Sequence, residues 1–233
     1  MRWLILAILA LLGILAAQRW IYLAASFSGR LCASSEELVP VKTAAQRDGF
    51  QTDAFCWPTG LELEKGGKYR VTLETPGDWF DKSYRADPIG FPSSRNWIFR
   101  VSTPFRRWWS ANWFTPIARV GAAKNDEYAL EPSVPPAPFV YPDQGAEGAK
   151  FAAAIKKEEK PVKNPISDAL AAALQTDAPT PKDRLSVSTV IEPRQSGELF
   201  LFVNDAVVMW PGNTDFFYLN NRGAGKLTVE RLE

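Results

Sequence analysis

Three oxygen-bearing side chains near the C-terminus are the residues best suited to chemistry. Asp205 closes the run Leu199 to Asn204, and after a loop Asn220 and Asn221 stand side by side. One carboxylate and two carboxamides, purely oxygen-donating and low in charge, are what a hard cation such as calcium accepts. The same residues also suit plain turns, since Asn-Asn ahead of Gly223 is ordinary turn chemistry and an Asp at a strand end commonly caps one. The absence of histidine removes the commonest general base, the commonest zinc ligand and every Ser-His or Cys-His nucleophile. The chain is therefore read as a non-enzyme, a carboxylate pair of the glycosidase kind being the one hydrolytic arrangement left.

The elements that must hold these residues read as strands. Gly197 to Asp205 is apolar on both faces from Leu199 to Val203, as in a strand buried on two sides. In the last run Leu227, Val229 and Arg231 alternate with Lys226, Thr228 and Glu230. Tyr69, Val71 and Leu73 alternate likewise behind the turn Gly66-Gly67, and Leu185, Val187, Thr189 and Ile191 share one face. Asn96 to Val101 and Pro116 to Gly121 are also read as strands, and Ser34-Ser35-Glu36-Glu37 as a helix start that Pro40 ends. Together they predict one antiparallel β-sandwich over 56–232.

Asn204-Asp205 at a strand end, followed by Tyr218-x-Asn220-Asn221-x-Gly223 before the last strand, resembles the C-terminal half of the bacterial galactose-binding lectins. These are small calcium-dependent β-sandwiches. The resemblance implies a galactose-binding-like sandwich with Asp205, Asn220 and Asn221 as calcium ligands. It also implies that hydroxyls of a bound sugar complete the shell, so Asp205 and Asn220 are sugar-contacting candidates as well. Pro76-Gly77-Asp78-Trp79-Phe80-Asp81 stands where those lectins carry a tryptophan-bearing loop that supplies another calcium contact through a backbone carbonyl, which makes Trp79 and Asp81 second-rank candidates; the alternative is a turn over a core Trp. Asp87-Pro88-Ile89-Gly90 resembles their Pro-x-Gly loop. The histidine and glutamine that contact sugar there are replaced by Ser93, Ser94 and Arg95, so nothing names galactose. With one carboxylate the expected calcium affinity is weak, about 10⁻⁴ to 10⁻³ M.

The chain is 46% hydrophobic and formally +1, which argues against a nucleic-acid partner. Arg2 and the apolar run Trp3 to Ala17, continuing past Arg19 to about Phe27, predict an N-terminal segment over 1–27. It is read as an uncleaved membrane anchor with Arg19 snorkelling to the interface, the alternative being a signal peptide cut after Ala17. The domain is placed in the periplasm at the inner membrane, or secreted if the segment is cut. Residues 28–55 are read as a connector. Cys32 and Cys56 are expected to pair in that oxidising compartment, closing a loop worth roughly 3–4 kcal/mol by chain entropy.

Pro104 to Phe114 packs five aromatics and two arginines into eleven residues, a patch suited to sugar stacking, a membrane surface or a protein interface, or else a core strand with an Arg pair on solvent. Residues 132–182, Pro-rich and then Ala/Lys-rich, are read as a partly helical insertion, a surface excursion or else a partner-binding arm. The functional expectation is a calcium-assisted, carbohydrate-binding envelope module. The alternative is a structural or protein-interaction module of the envelope that has lost the sugar, so the partner is a glycan or an envelope protein.

Overall fold

The computed structural model describes residues 2–82, 84–132, 182–209 and 213–232. The 132–182 insertion therefore falls, but for its two end residues, outside them.

Helix α1 runs unbroken over Arg2–Phe27. Two strands follow inside the predicted connector: β1, Val39–Pro40, and β2, Ala44–Gln51. Ser34 to Glu37 is irregular chain that bends at Glu36-Glu37 rather than a helix, because Glu198 captures Ser35 through its backbone N–H and hydroxyl, at 2.9 and 2.7 Å. Then come β3 (Trp57–Leu63), β4 (Tyr69–Glu74), β5 (Trp79–Asp81) and β6 (Tyr84–Ala86), the short helix α2 (Trp97–Ser102), β7 (Pro116–Val120) and β8 (Asp126–Ala129). The C-terminal part supplies β9 (Ser186–Ile191), β10 (Gly197–Val203), β11 (Asn221–Arg222) and β12 (Ala224–Arg231).

The strands form three sheets, ordered β1-β3-β10-β7-β8, β2-β12-β4-β9 and β11-β5-β6. Every strand pairing is antiparallel except that of β1 with β3. Leu61, Leu63, Leu199, Leu201 and Val203 from the first sheet share one buried cluster with Tyr69, Val71, Leu73, Val187, Leu227 and Val229 from the second, as inner faces of a sandwich do. The period-2 patterns of β4, β9 and β12 put their apolar members in that core.

One predicted strand is a helix. Asn96 to Val101 becomes α2 because the Asn96 side chain accepts the Ile98 N–H at 3.0 Å and caps it, a role that favours helix over ladder. Only Phe99 of this element is buried; Trp97, Ile98 and Val101 are exposed.

The cysteines pair as expected: Cys32 and Cys56 form a disulfide with Cα atoms 5.4 Å apart. It ties the chain after α1 to the start of β3.

The apolar segment divides along its length. From Arg2 to Ile14 it is exposed, whereas Leu15, Gln18, Arg19, Tyr22, Leu23 and Ser26 form a stripe, wholly or partly buried, at helical spacing. Gln18 donates to the Val207 carbonyl and accepts from the Met209 N–H, both at 2.8 Å. Arg19 does not snorkel outward: it donates to the Arg107 carbonyl at 3.0 Å and stacks over Tyr22 and Trp109, 5.0 and 4.6 Å from the ring centres. Seven residues after Arg19, the Ser26 hydroxyl and carbonyl accept from Arg119 of β7, at 2.7 and 2.6 Å, and Arg119 pairs with Glu127 at 2.8 Å. Arg119 and its cross-strand partner Phe200 are thus covered on the outer face of the sheet. This explains why β7 and β10 are buried on both faces.

Candidate functional site

β10 delivers Asn204 and Asp205 to the end of the first sheet, and each has a different task. The Asn204 amide donates to the carbonyls of Trp108, Ala111 and Asn112 (2.8, 3.1 and 2.8 Å) and accepts the Trp108 N–H at 2.8 Å. It clamps the 108–112 loop and is fully engaged. Asp205 is buried and accepts from the Ala206 N–H at 2.6 Å and from the Asn221 amide at 2.8 Å.

The partner elements arrive from the third sheet. β11 pairs with β5 so that Asn221 stands opposite Asp81, while the Asn220 carbonyl accepts the Lys82 N–H at 3.2 Å. Asp205, Asn220, Asn221 and Asp81, distant in sequence, thus meet at one end of the sandwich. Asp81, Asp205 and Asn220 line a cavity of about 220 Å³ with Ile98, Trp113 and Phe217. The carboxamide oxygens Asn220 Oδ1 and Asn221 Oδ1 are buried without a hydrogen-bond partner, as is the Thr52 hydroxyl. Asn221 also donates to the Thr52 carbonyl, at 3.3 Å.

The electrostatics are those of a carboxylate pair short of counter-charge. Burial pushes the Asp81 carboxyl up to about 6, against the opposing pull of Arg95 and Lys82. Burial first, and then the Asp81 charge, raise Asp205 well above the usual carboxylate range, although the bonds from Asn221 and Ala206 act the other way. Two acids pushed toward neutrality beside two unused carboxamide oxygens make a donor set that fits a hard cation. Such an ion restores the carboxylates' charge and gives the orphaned oxygens a partner. Among the described residues no group of three or more His, Cys, Asp or Glu could hold a metal, so this site is distinguished by its amides.

The second-rank candidates separate. Asp81 joins the site. The Trp79 ring is wholly buried, donates to the Ala224 carbonyl at 3.0 Å and packs on Phe50, so it offers no face to a sugar. The core Trp of the alternative reading is what is observed, at the start of β5. Ser93 faces inward, accepting from Trp113 and Arg106 at 3.0 and 3.1 Å, and Gly90 turns tightly against the Trp113 carbonyl.

The 104–114 run is neither an open patch nor a core strand. Arg106, Arg107, Trp113 and Phe114 are buried, and Trp109 is 51% exposed. Arg107 lies over the Phe202 and Phe55 rings, 3.3 and 4.7 Å from their centres, so its cation is held by π-faces rather than by solvent.

Sequence reasoning ranked Asp81 low because its approach depends on β5–β11 pairing, which no local spacing carries. The lining aromatics Tyr84 and Phe217 were missed for the same reason. A larger cavity of about 590 Å³ lies beside Trp108, Ala129 and Pro132; among the described residues Glu131 is its one carboxylate, and none of their orphaned oxygens converge there. Comparison with protein families, with characterised proteins and with solved structures finds no match to this chain.

Proposed function

We propose that the chain is a membrane-anchored, calcium-assisted carbohydrate-binding module, held by α1 with its sandwich on the outer, oxidising side of the membrane. Asp205 and Asp81 would supply the charge, Asn220 and Asn221 neutral oxygens, and vicinal hydroxyls of a sugar the remaining positions. The observation that carries this reading is the pair of buried, unpartnered carboxamide oxygens beside two carboxylates raised by burial. Groups left in that state cost stability unless a ligand uses them. The anchor reading is supported by the exposed apolar half of α1 and by the Cys32–Cys56 disulfide.

The test is thermal melting of the full chain in detergent, in excess EDTA and then in millimolar calcium. A cation at ten to a hundred times its dissociation constant adds about 1.4–2.7 kcal/mol, an upward shift of roughly 3–10 °C for a domain of this size. Asp205→Ala should abolish the shift. An unchanged Tm in a folded sample would retire the calcium site. A calcium shift with no binding to a glycan panel would leave the envelope-module alternative standing.

A further inference from the structure

The docked half of α1 gives the sandwich a direction. Gln18 contacts Val207 and Met209, just past the Asp205 end of β10, whereas Ser26 contacts Arg119 and Asn125 beside Gly121, next to the Gly197 end. The helix therefore climbs the outer face of the sheet from the Asp205 end to the Gly197 end. Its undocked, lipid-exposed part leaves the domain at the Asp205 end.

Helix length fixes how closely that end approaches the bilayer. Arg2 to Ile14 rises only about 20 Å at 1.5 Å per residue, while the hydrocarbon core is about 30 Å thick. The shortfall of about 10 Å draws the docked half of α1 toward the bilayer, with Trp20 and Ile21 exposed on it. The surface level with Leu15 to Arg19 is then drawn to the membrane interface. That surface comprises the 103–107 turn, which packs on α1, and Trp109, which stacks on Arg19. One turn upstream, α2 exposes Trp97, Ile98 and Val101 on a single face, with none of the described residues over them. Arg100 of the same helix is exposed as well, and aromatic, aliphatic and cationic side chains together are the composition of an interfacial surface. Ile98 also lines the cavity holding Asp81 and Asp205. Leu219, between the cavity residues Phe217 and Asn220, is 69% exposed.

We infer that the α2 face, Trp109 and Leu219 rest on the bilayer surface, so that the Asp81/Asp205 cavity opens onto the lipid headgroup layer and takes its hydroxyl-bearing ligand there, from a lipid headgroup. The inference rests on the reading of α1 as an anchor and places the site of the proposed function. The apolar rim replaces water with lipid at the cavity mouth, which suits a ligand presented by the membrane rather than one diffusing in solution.

Depth-dependent quenching tests this directly. Neither native cysteine is free, so one introduced thiol takes one fluorophore. Full chains carrying Ile8→Cys, Val101→Cys, Leu219→Cys or Lys65→Cys are labelled, placed in phosphatidylcholine vesicles and quenched by doxyl lipids. Ile8 reports insertion of α1; Lys65, exposed at the far end of the sandwich, reports bulk solvent. The expected result is strong quenching at Ile8, only background quenching at Lys65, and quenching at Val101 and Leu219 several-fold above that background. Quenching at Ile8 with Val101 and Leu219 both at the Lys65 level overturns the inference while the anchor stands. Quenching at Val101 without Leu219 overturns the orientation of the cavity. No quenching at Ile8 removes the anchor and the inference with it. Calcium titration in EDTA-treated samples reads the cation site separately, so failure of one reading is not mistaken for failure of the other.

Discussion

Asp205→Asn is expected to melt higher than the wild-type chain in EDTA at neutral pH, and to lose the response to calcium. The Asp205 carboxyl is buried against a second acid, and both are pushed upward. A carboxyl whose folded-state value lies above its unfolded one binds more protons when folded. Its stability is complete below about pH 4 and falls as pH rises through the folded value, which for Asp81 is about 6. Wild-type stability without cation should therefore decline between pH 4 and pH 7, and part of that loss should be missing in Asp205→Asn. Removing one buried, uncompensated charge is worth about 2 kcal/mol, or roughly 4–8 °C in a domain of this size. The variant and the wild type should converge near pH 4 and separate toward pH 8. Calcium should close the gap from the wild-type side only, by stabilising the carboxylates, and should release protons as it binds. Differential scanning calorimetry across that pH range, with and without EDTA, checks all of this. Equal or lower melting of the variant at pH 8 would mean that Asp205 is an ordinary turn cap.

Residues that carry their instructions locally were legible in the sequence. β4 and β12 alternate, β9 puts Val187 and Ile191 on its buried face, and β10 is apolar from Leu199 to Val203, so their packing follows from period and composition. The Asp205–Asn221 pairing was legible because each residue ends a readable strand or opens one. β2 was not, because Ala44 to Gln51 has one buried side chain, Phe50, and is held by its ladder with β12. That pairing spans the whole domain, and nothing in a polar octapeptide announces it. α2 misled for the opposite reason: Trp97, Ile98 and Val101 are strand-forming residues exposed on a helix. The capping side chain of Asn96 and the packing of Phe99 against Phe91 and Trp113 override propensity there. Of the polar stripe in α1 only Arg19 was legible in the sequence, and there as a residue snorkelling to the interface. Its use became clear only with the carbonyls of residues 106, 107 and 207 in view, since a buried guanidinium must find acceptors.

The glycine of the Asn-Asn-x-Gly segment sets the second large effect. A Cβ on Gly223 would stand 2.2 Å from Trp79 Cδ1, well inside van der Waals contact. Trp79 cannot retreat: its ring is wholly buried, packs on Phe50 and donates to the Ala224 carbonyl. Gly223→Ala must therefore move either the indole or the β11–β12 backbone, and both carry the site, since β5 ends on Asp81 and β11 begins on Asn221. Overpacking of this kind, with a buried hydrogen bond lost, is expected to cost about 3 kcal/mol or more. In a domain of this size that lowers Tm by roughly 6–12 °C. The calcium shift should disappear with it, because Asp81 and Asn221 lose their register. Gly77→Ala is the control: a Cβ there meets no atom within 4 Å, and its stability should stay within about 0.5 kcal/mol of wild type. Urea midpoints for the three chains, each measured in EDTA and in calcium, decide the matter. A Gly223→Ala chain as stable as Gly77→Ala and still responsive to calcium would mean that the Trp79 contact does not position the site. Loss of stability with the calcium response intact would confine the glycine to packing and detach it from the ligand set.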